Sequence, residues 1–66
     1  MSVAKSIEIL AQGNTLEDAT EEVLREASKS VDNIKNIYVD DYRAIVENGK
    51  IQAYRVHSKV TFVIHE

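Results

Sequence analysis

Sixty-six residues make one domain, and at this length folding buries only about 60% of the surface that the unfolded chain exposes. With no cysteine, 29% charged and 44% hydrophobic residues, the composition excludes a disulfide-stapled fold, a thiolate metal cluster, a disordered chain and a membrane span. A net charge of −3 without a basic patch excludes a nucleic-acid partner, so support for so small a core is expected from further copies of the chain.

The opening "MSVAKSIEIL" has no cationic region leading into a long apolar run. It reads as neither signal peptide nor anchor, and a cytoplasmic location is the default. From Val3 to Leu10, Ile7 and Ile9 share one parity between polar positions, which predicts a first strand. "QGNT" breaks it. Thr15 followed by Asp18 resembles a capping box, and Glu17, Asp18, Glu21 and Glu22 place negative charge near the positive end of a helix dipole, so a helix begins at Leu16. Leu16, Ala19, Val23, Leu24, Ala27 and Val31 form its apolar stripe, Glu21 and Arg25 pair on the outside, and Asp32 and Asn33 end it.

Two strands follow, joined by Asn48-Gly49, the preferred pair for a two-residue type I′ turn. That turn sets Glu47 opposite Lys50, and counting back assigns every later pair. One face then collects Ile37, Val39, Ile45, Tyr54, Val56, Val60 and Phe62 as the core. The other pairs Asn36 with Thr61, Tyr38 with Lys59, Asp40 with His57, Tyr42 with Arg55 and Ala44 with Ala53, flanked by Ile34, Val63, Val46 and Ile51. So many aromatic and aliphatic residues on a second face predict an interface. The fold class is α+β, in the order β-α-β-β: a three-stranded antiparallel sheet packed on one helix, with the third strand central.

Little here suggests catalysis. Asp40 and His57 share a face, but Ser58 points to the other, so no Ser, His and acid converge. Asp40 and Asp41, as strand neighbours, also diverge within one subunit. Asp32, Asn33, Asp40 or Asp41 offer oxygens for calcium or magnesium at a symmetry axis, and His65 is a possible ligand near a terminus. Tyr38 and Tyr42, four residues apart and so two steps along one face, either stack on an aromatic ligand or pack on a neighbouring chain.

"SVAKSIEIL", a helix opened by Thr15 and closed by "SVDNI", "VDD" in the second strand and "AYRVHSKVTFVI" in the third together resemble a dodecin over essentially the whole chain. The resemblance implies a homododecamer of tetrahedral symmetry, with helices outside and sheets facing inward. It also implies a non-enzymatic role, storing a flavin such as FMN or riboflavin, or another small molecule, in pockets between subunits. In flavin-binding members a Trp of the second strand stacks on the ring, and Asn36 stands there in this sequence. Arg55 follows Tyr54 where those members carry Gln. Asp41 matches a carboxylate near the ribityl chain, and Ile45 replaces a second acid. Asn36, Tyr38, Asp41, Ile45 and Arg55 are thus the candidate binding residues, with Arg55 able either to grip a phosphate or carboxylate or to bridge to Asp40 or Asp41 of a neighbour. The lack of Trp also resembles members linked to calcium, which leaves a shell without flavin, metal-binding or structural, as the alternative.

Overall fold

In the computed structural model, which describes residues 2–65, the elements follow the expected order. Strand β1 (Ser2–Gly13), helix α1 (Leu16–Ala27), strand β2 (Ile34–Glu47) and strand β3 (Lys50–His65) build one sheet in the order β1-β3-β2. Both outer strands run antiparallel to β3, so β1 and β2 are parallel to each other and joined through the helix.

Thr15 starts α1 as anticipated. Its backbone is extended and its Oγ1 accepts the Asp18 N–H at 3.0 Å, a cap of a kind worth about 1 kcal/mol. The far end differs from expectation. The helix stops at Ala27, and the next residues tighten: Lys29 N–H donates to the Glu26 carbonyl at 3.2 Å and Ser30 N–H to that of Ala27 at 3.0 Å. Serine favours caps and turns over helix interiors, which agrees with an exit at Ser28 and Ser30. Asn33 does adopt the left-handed conformation, with φ of 57°, but in the loop before β2. There its carbonyl accepts Val63 N–H at 3.1 Å and ties the loop to the central strand. Arg25 pairs with Glu22, three residues back, in place of Glu21.

Ala19, Val23 and Ala27 are the buried side of α1, and they meet Val56 and Val60 of β3. Small residues at both ends of this stripe bring the helix close to the sheet. Each fully buried valine contributes roughly 1.5–3 kcal/mol. Leu16 and Leu24, assigned to the stripe from spacing, lie partly exposed at its margin. Ile7, Ile9, Val31, Ile34, Ile37 and Val39 close the core. Ser58 is fully buried among them, and its hydroxyl donates to the Ile9 carbonyl at 2.8 Å, which removes the penalty of an unpaired polar group.

A helix of 12 residues is about 18 Å long, whereas the molecule extends 52 Å. The helix therefore shields only part of one face. Tyr42, Val46 and Ile51 remain exposed on the hairpin arm beyond it.

Asn48 and Gly49 both take positive φ, 52° and 73°, as a type I′ turn requires, and Glu47 stands opposite Lys50. Beyond Val46 and Ile51 the simple count fails, because register shifts leave Gln52, Asp40 and Lys35 without opposed partners. Each such bulge inserts one residue and reverses the faces until the next one restores them. Asn36 opposite Thr61 and Tyr38 opposite Lys59 hold. Between the shifts at Asp40 and Gln52, however, Asp41 and not Asp40 faces His57, Tyr42 faces Val56 in place of Arg55, and Ala44 faces Tyr54 in place of Ala53. Ile45, expected in the core, pairs with Ala53 on the helix-free side, and the alternation turns Val46 and Ile51 to the helix side. Ile34, expected on the second face, packs against the core.

Candidate ligand-binding face

The face of the sheet away from α1 carries Glu8 of β1, Asp41 and Arg43 of β2, and Arg55, His57 and Lys59 of β3. Glu8 reaches diagonally from β1 so that its Oε2 lies 2.6 Å from His57 Nε2. The bulge at Asp40 brings two adjacent carboxylates to this one side: Asp40 Oδ2 is 3.9 Å and Asp41 Oδ2 3.8 Å from His57 Nδ1. Asp40 also lies 3.9 Å from Lys59 Nζ. The expectation that Asp40 and Asp41 diverge is thus corrected, since strict alternation does not survive a bulge. His57 stands among three acids.

The hydrogen bond with Glu8 is the main cause of a His57 pKa above the ordinary 6.5; partial desolvation opposes the rise, and the charges of Glu8, Asp41 and Asp40 add to it. Because the folded state favours the imidazolium, this cluster contributes stability that is fully present below the unfolded value of 6.5 and is lost as pH rises through the folded value. His57→Gln is therefore expected to destabilise the protein more at about pH 5.5 than at about pH 8.5. Urea denaturation of both proteins at the two pH values measures this, and an equal loss at both would contradict it.

Arg55 donates from Nη2 to Gln12 Oε1 of β1 at 3.0 Å. Directly across the ladder stands Arg43, a residue that sequence reasoning did not single out. Among the described residues neither arginine has a carboxylate within salt-bridge distance. A hollow of about 160 Å³ is lined by Leu10, Asp41, Arg43, Arg55, Val56 and His57. A second, of about 420 Å³, lies where the helix exit meets the end of β3, around Asn33 and Phe62.

Of the candidate binding residues, Asn36, Tyr38, Asp41, Ile45 and Arg55 all fall on the helix-free face. Only Asp41 and Arg55 share a hollow. Asn36 sits opposite Thr61 and Ile45 opposite Ala53, so at about 3.3 Å per residue they are some 26 Å apart along β3, too far for one cofactor ring to touch both in one chain. Tyr38 and Tyr42 were expected together, but the Asp40 bulge sends Tyr42 to the helix side, where its ring centroid is 6.4 Å from that of Tyr54. Ser58 points into the core, away from His57, as expected. Among the described residues no three His, Asp or Glu side chains converge to hold a metal ion within one chain, and no helix is long and apolar enough to cross a membrane.

Comparison with known proteins decides the family, because the sequence model for dodecin matches residues 3–65. The chain belongs to the dodecin family. Solved structures agree on the dodecin fold. A protein from Thermus thermophilus superposes with a TM-score of 0.91 at 24% identity, covering 100% of this chain and 98% of its own. A Thermus thermophilus dodecin with a tryptophan-to-phenylalanine substitution gives 0.89 at 24% identity over 100% of both chains. The dodecin from Streptomyces davaonensis gives 0.88 at 21% identity, covering 98% of this chain and 97% of its own. No curated protein matches the sequence. At these identities the likeness to solved structures is one of fold, and the dodecin framework leaves the ligand to be argued from this chain's own face.

Proposed function

We propose that this chain is the subunit of a non-enzymatic, cytoplasmic homododecamer that binds and stores a small molecule, a flavin-like or nucleotide cofactor, in pockets between subunits. One observation carries the reading: the helix-free face bears Leu10, which lines the charged hollow, at 64% and Tyr38 at 62% exposure, with none of the described residues covering them. Apolar surface of this kind, edged by charged groups, is what protein partners and ligands bury. The single helix already occupies the opposite side, so a second layer comes from further copies.

Fit to a flavin ring is partial. Asn36, at the position where the resemblance to flavin-binding dodecins puts an indole, offers no flat apolar platform, and Tyr38 is the aromatic residue of this face among those described. Arg55 and Asp41 can bind the polar part of a cofactor, the first as donor and the second as acceptor. Native mass spectrometry at low micromolar concentration, followed by titration of the assembled protein with riboflavin and FMN under fluorescence detection, tests the reading. Twelve subunits and saturable quenching by either flavin are expected. A stable folded monomer, or an assembly that binds neither, refutes it.

A further inference from the structure

We infer that the tip of the β2–β3 hairpin of one copy docks in the hollow at the opposite end of a second copy, with Lys50 of the tip seated against Asp32 of the hollow. The inference rests on the homo-oligomer reading above and names a contact by which the copies hold one another. Within one chain the two features cannot meet. Lys50 and Phe62 both lie on β3, and at about 3.3 Å per residue the strand carries them some 40 Å apart.

The shape of the molecule calls for such a partner. Its accessible surface is 4801 Å², whereas a compact monomer of 7.5 kDa exposes about 4,250 Å². Its radius of gyration is 13.7 Å, against about 11 Å for a compact chain of this length. The arm is the source of the excess: beyond the pairing of Gly13 with Tyr54 the sheet has no β1 and continues as a two-stranded ribbon. A ribbon of two strands is at best marginally stable alone. Val46 and Ile51, opposed just behind the turn, are each more than half exposed.

At the other end, the hollow of about 420 Å³ offers Val31, Phe62 and Ile64 as apolar lining and Asp32 as an acid. Val3, paired with Ile64, adds exposed apolar surface beside it. An apolar pair carrying a lysine thus matches an apolar hollow carrying a carboxylate, which is the complementarity that selects one partner and one orientation. Neither Lys50 nor Asp32 has an ion-pair partner among the described residues, and Glu47, across the ladder from Lys50, makes no ion pair with it. His65 in the same lining is a donor available to Glu47. Because each copy gives one tip and one hollow, the contact is heterologous, and where its rotation closes it makes a ring. Three-membered rings of this kind are compatible with the three-fold axes of a tetrahedral dodecamer.

Carbodiimide cross-linking of the assembled wild-type protein, followed by digestion and mass spectrometry, tests the contact, because this reagent condenses an amine with a carboxylate only where the two touch. A Lys50–Asp32 link is expected, and the distance along β3 makes it a link between copies. Lys29 and Glu26, 3.1 Å apart, are the internal positive control. Lys50→Glu and Asp32→Lys, both at exposed positions, are each expected to raise the protein concentration at half-assembly by at least about tenfold, read by native mass spectrometry over a dilution series. The double variant, which restores opposite charges, should return close to wild type. An assembled wild type that yields the Lys29–Glu26 link without the Lys50–Asp32 link overturns the docking and leaves the oligomer standing. A double variant that assembles no better than either single variant also overturns it. A wild type that is a folded monomer overturns both readings.

Discussion

Gly13→Ala is expected to destabilise the protein by about 2–3 kcal/mol, at the upper end of what overpacking costs. A Cβ placed at Gly13 would lie 2.5 Å from the Ala19 nitrogen, 2.8 Å from the Asp18 carbonyl carbon and 2.9 Å from Ala19 Cα. These are backbone atoms in the first turn of α1, and the same Ala19 N–H donates to the Thr15 carbonyl at 3.0 Å. No rotamer change can clear them, so either the helix lifts off the sheet or the end of β1 leaves its pairing with Tyr54. Gly49 provides the internal comparison. Its φ of +73° strains any other residue, yet nothing lies within 4 Å of a Cβ built there, so Gly49→Ala should cost about 1 kcal/mol. Chemical denaturation of the two variants gives the ranking. A smaller loss for Gly13→Ala than for Gly49→Ala would mean that the close approach of β1 to α1 yields easily and does not position the helix.

Asn36→Trp is expected to raise riboflavin affinity by about tenfold or more, since an indole adds both buried apolar area and a stacking contribution of about 0.5–1.5 kcal/mol. Asn36 is exposed on the helix-free face opposite Thr61, with Tyr38 next on the same side, so a Trp there meets no core residue and presents its ring on the open face. Riboflavin isolates ring stacking from any phosphate contact. Asn36→Leu serves as control, because it adds apolar area without a flat surface, and Asn36→Trp combined with Arg55→Gln tests whether the long cationic side chain on the same face affects ring binding. Quenching of flavin fluorescence by the assembled proteins reads the outcome. A gain equal in Leu and Trp variants would reduce the effect to burial. No gain in any assembled variant would show that no pocket open to the ring forms at this position.

The elements whose signals are local were legible in the residues. Thr15 and Asp18 marked the helix start, Asn48-Gly49 specified the turn and the pairing of Glu47 with Lys50, and Ile7, Ile9, Ala19, Val23, Val56 and Val60 declared the core by their spacing. The family resemblance, resting on the order of such segments, was equally visible, and the match over residues 3–65 bears it out. What only the tertiary structure decided is the face on which the middle of the hairpin presents its side chains. Lys35, Asp40 and Gln52 carry no signature that distinguishes an unpaired residue from a paired one, because a bulge is set by how two long twisted strands must curve over a short helix. The slip at Asp40 moved Tyr42 to the helix side, gathered Asp40 and Asp41 around His57, and set Arg43 opposite Arg55. Strand side chains alternate with a period of two, so one inserted residue exchanges the faces, and a site built on one face becomes legible only once the register is known.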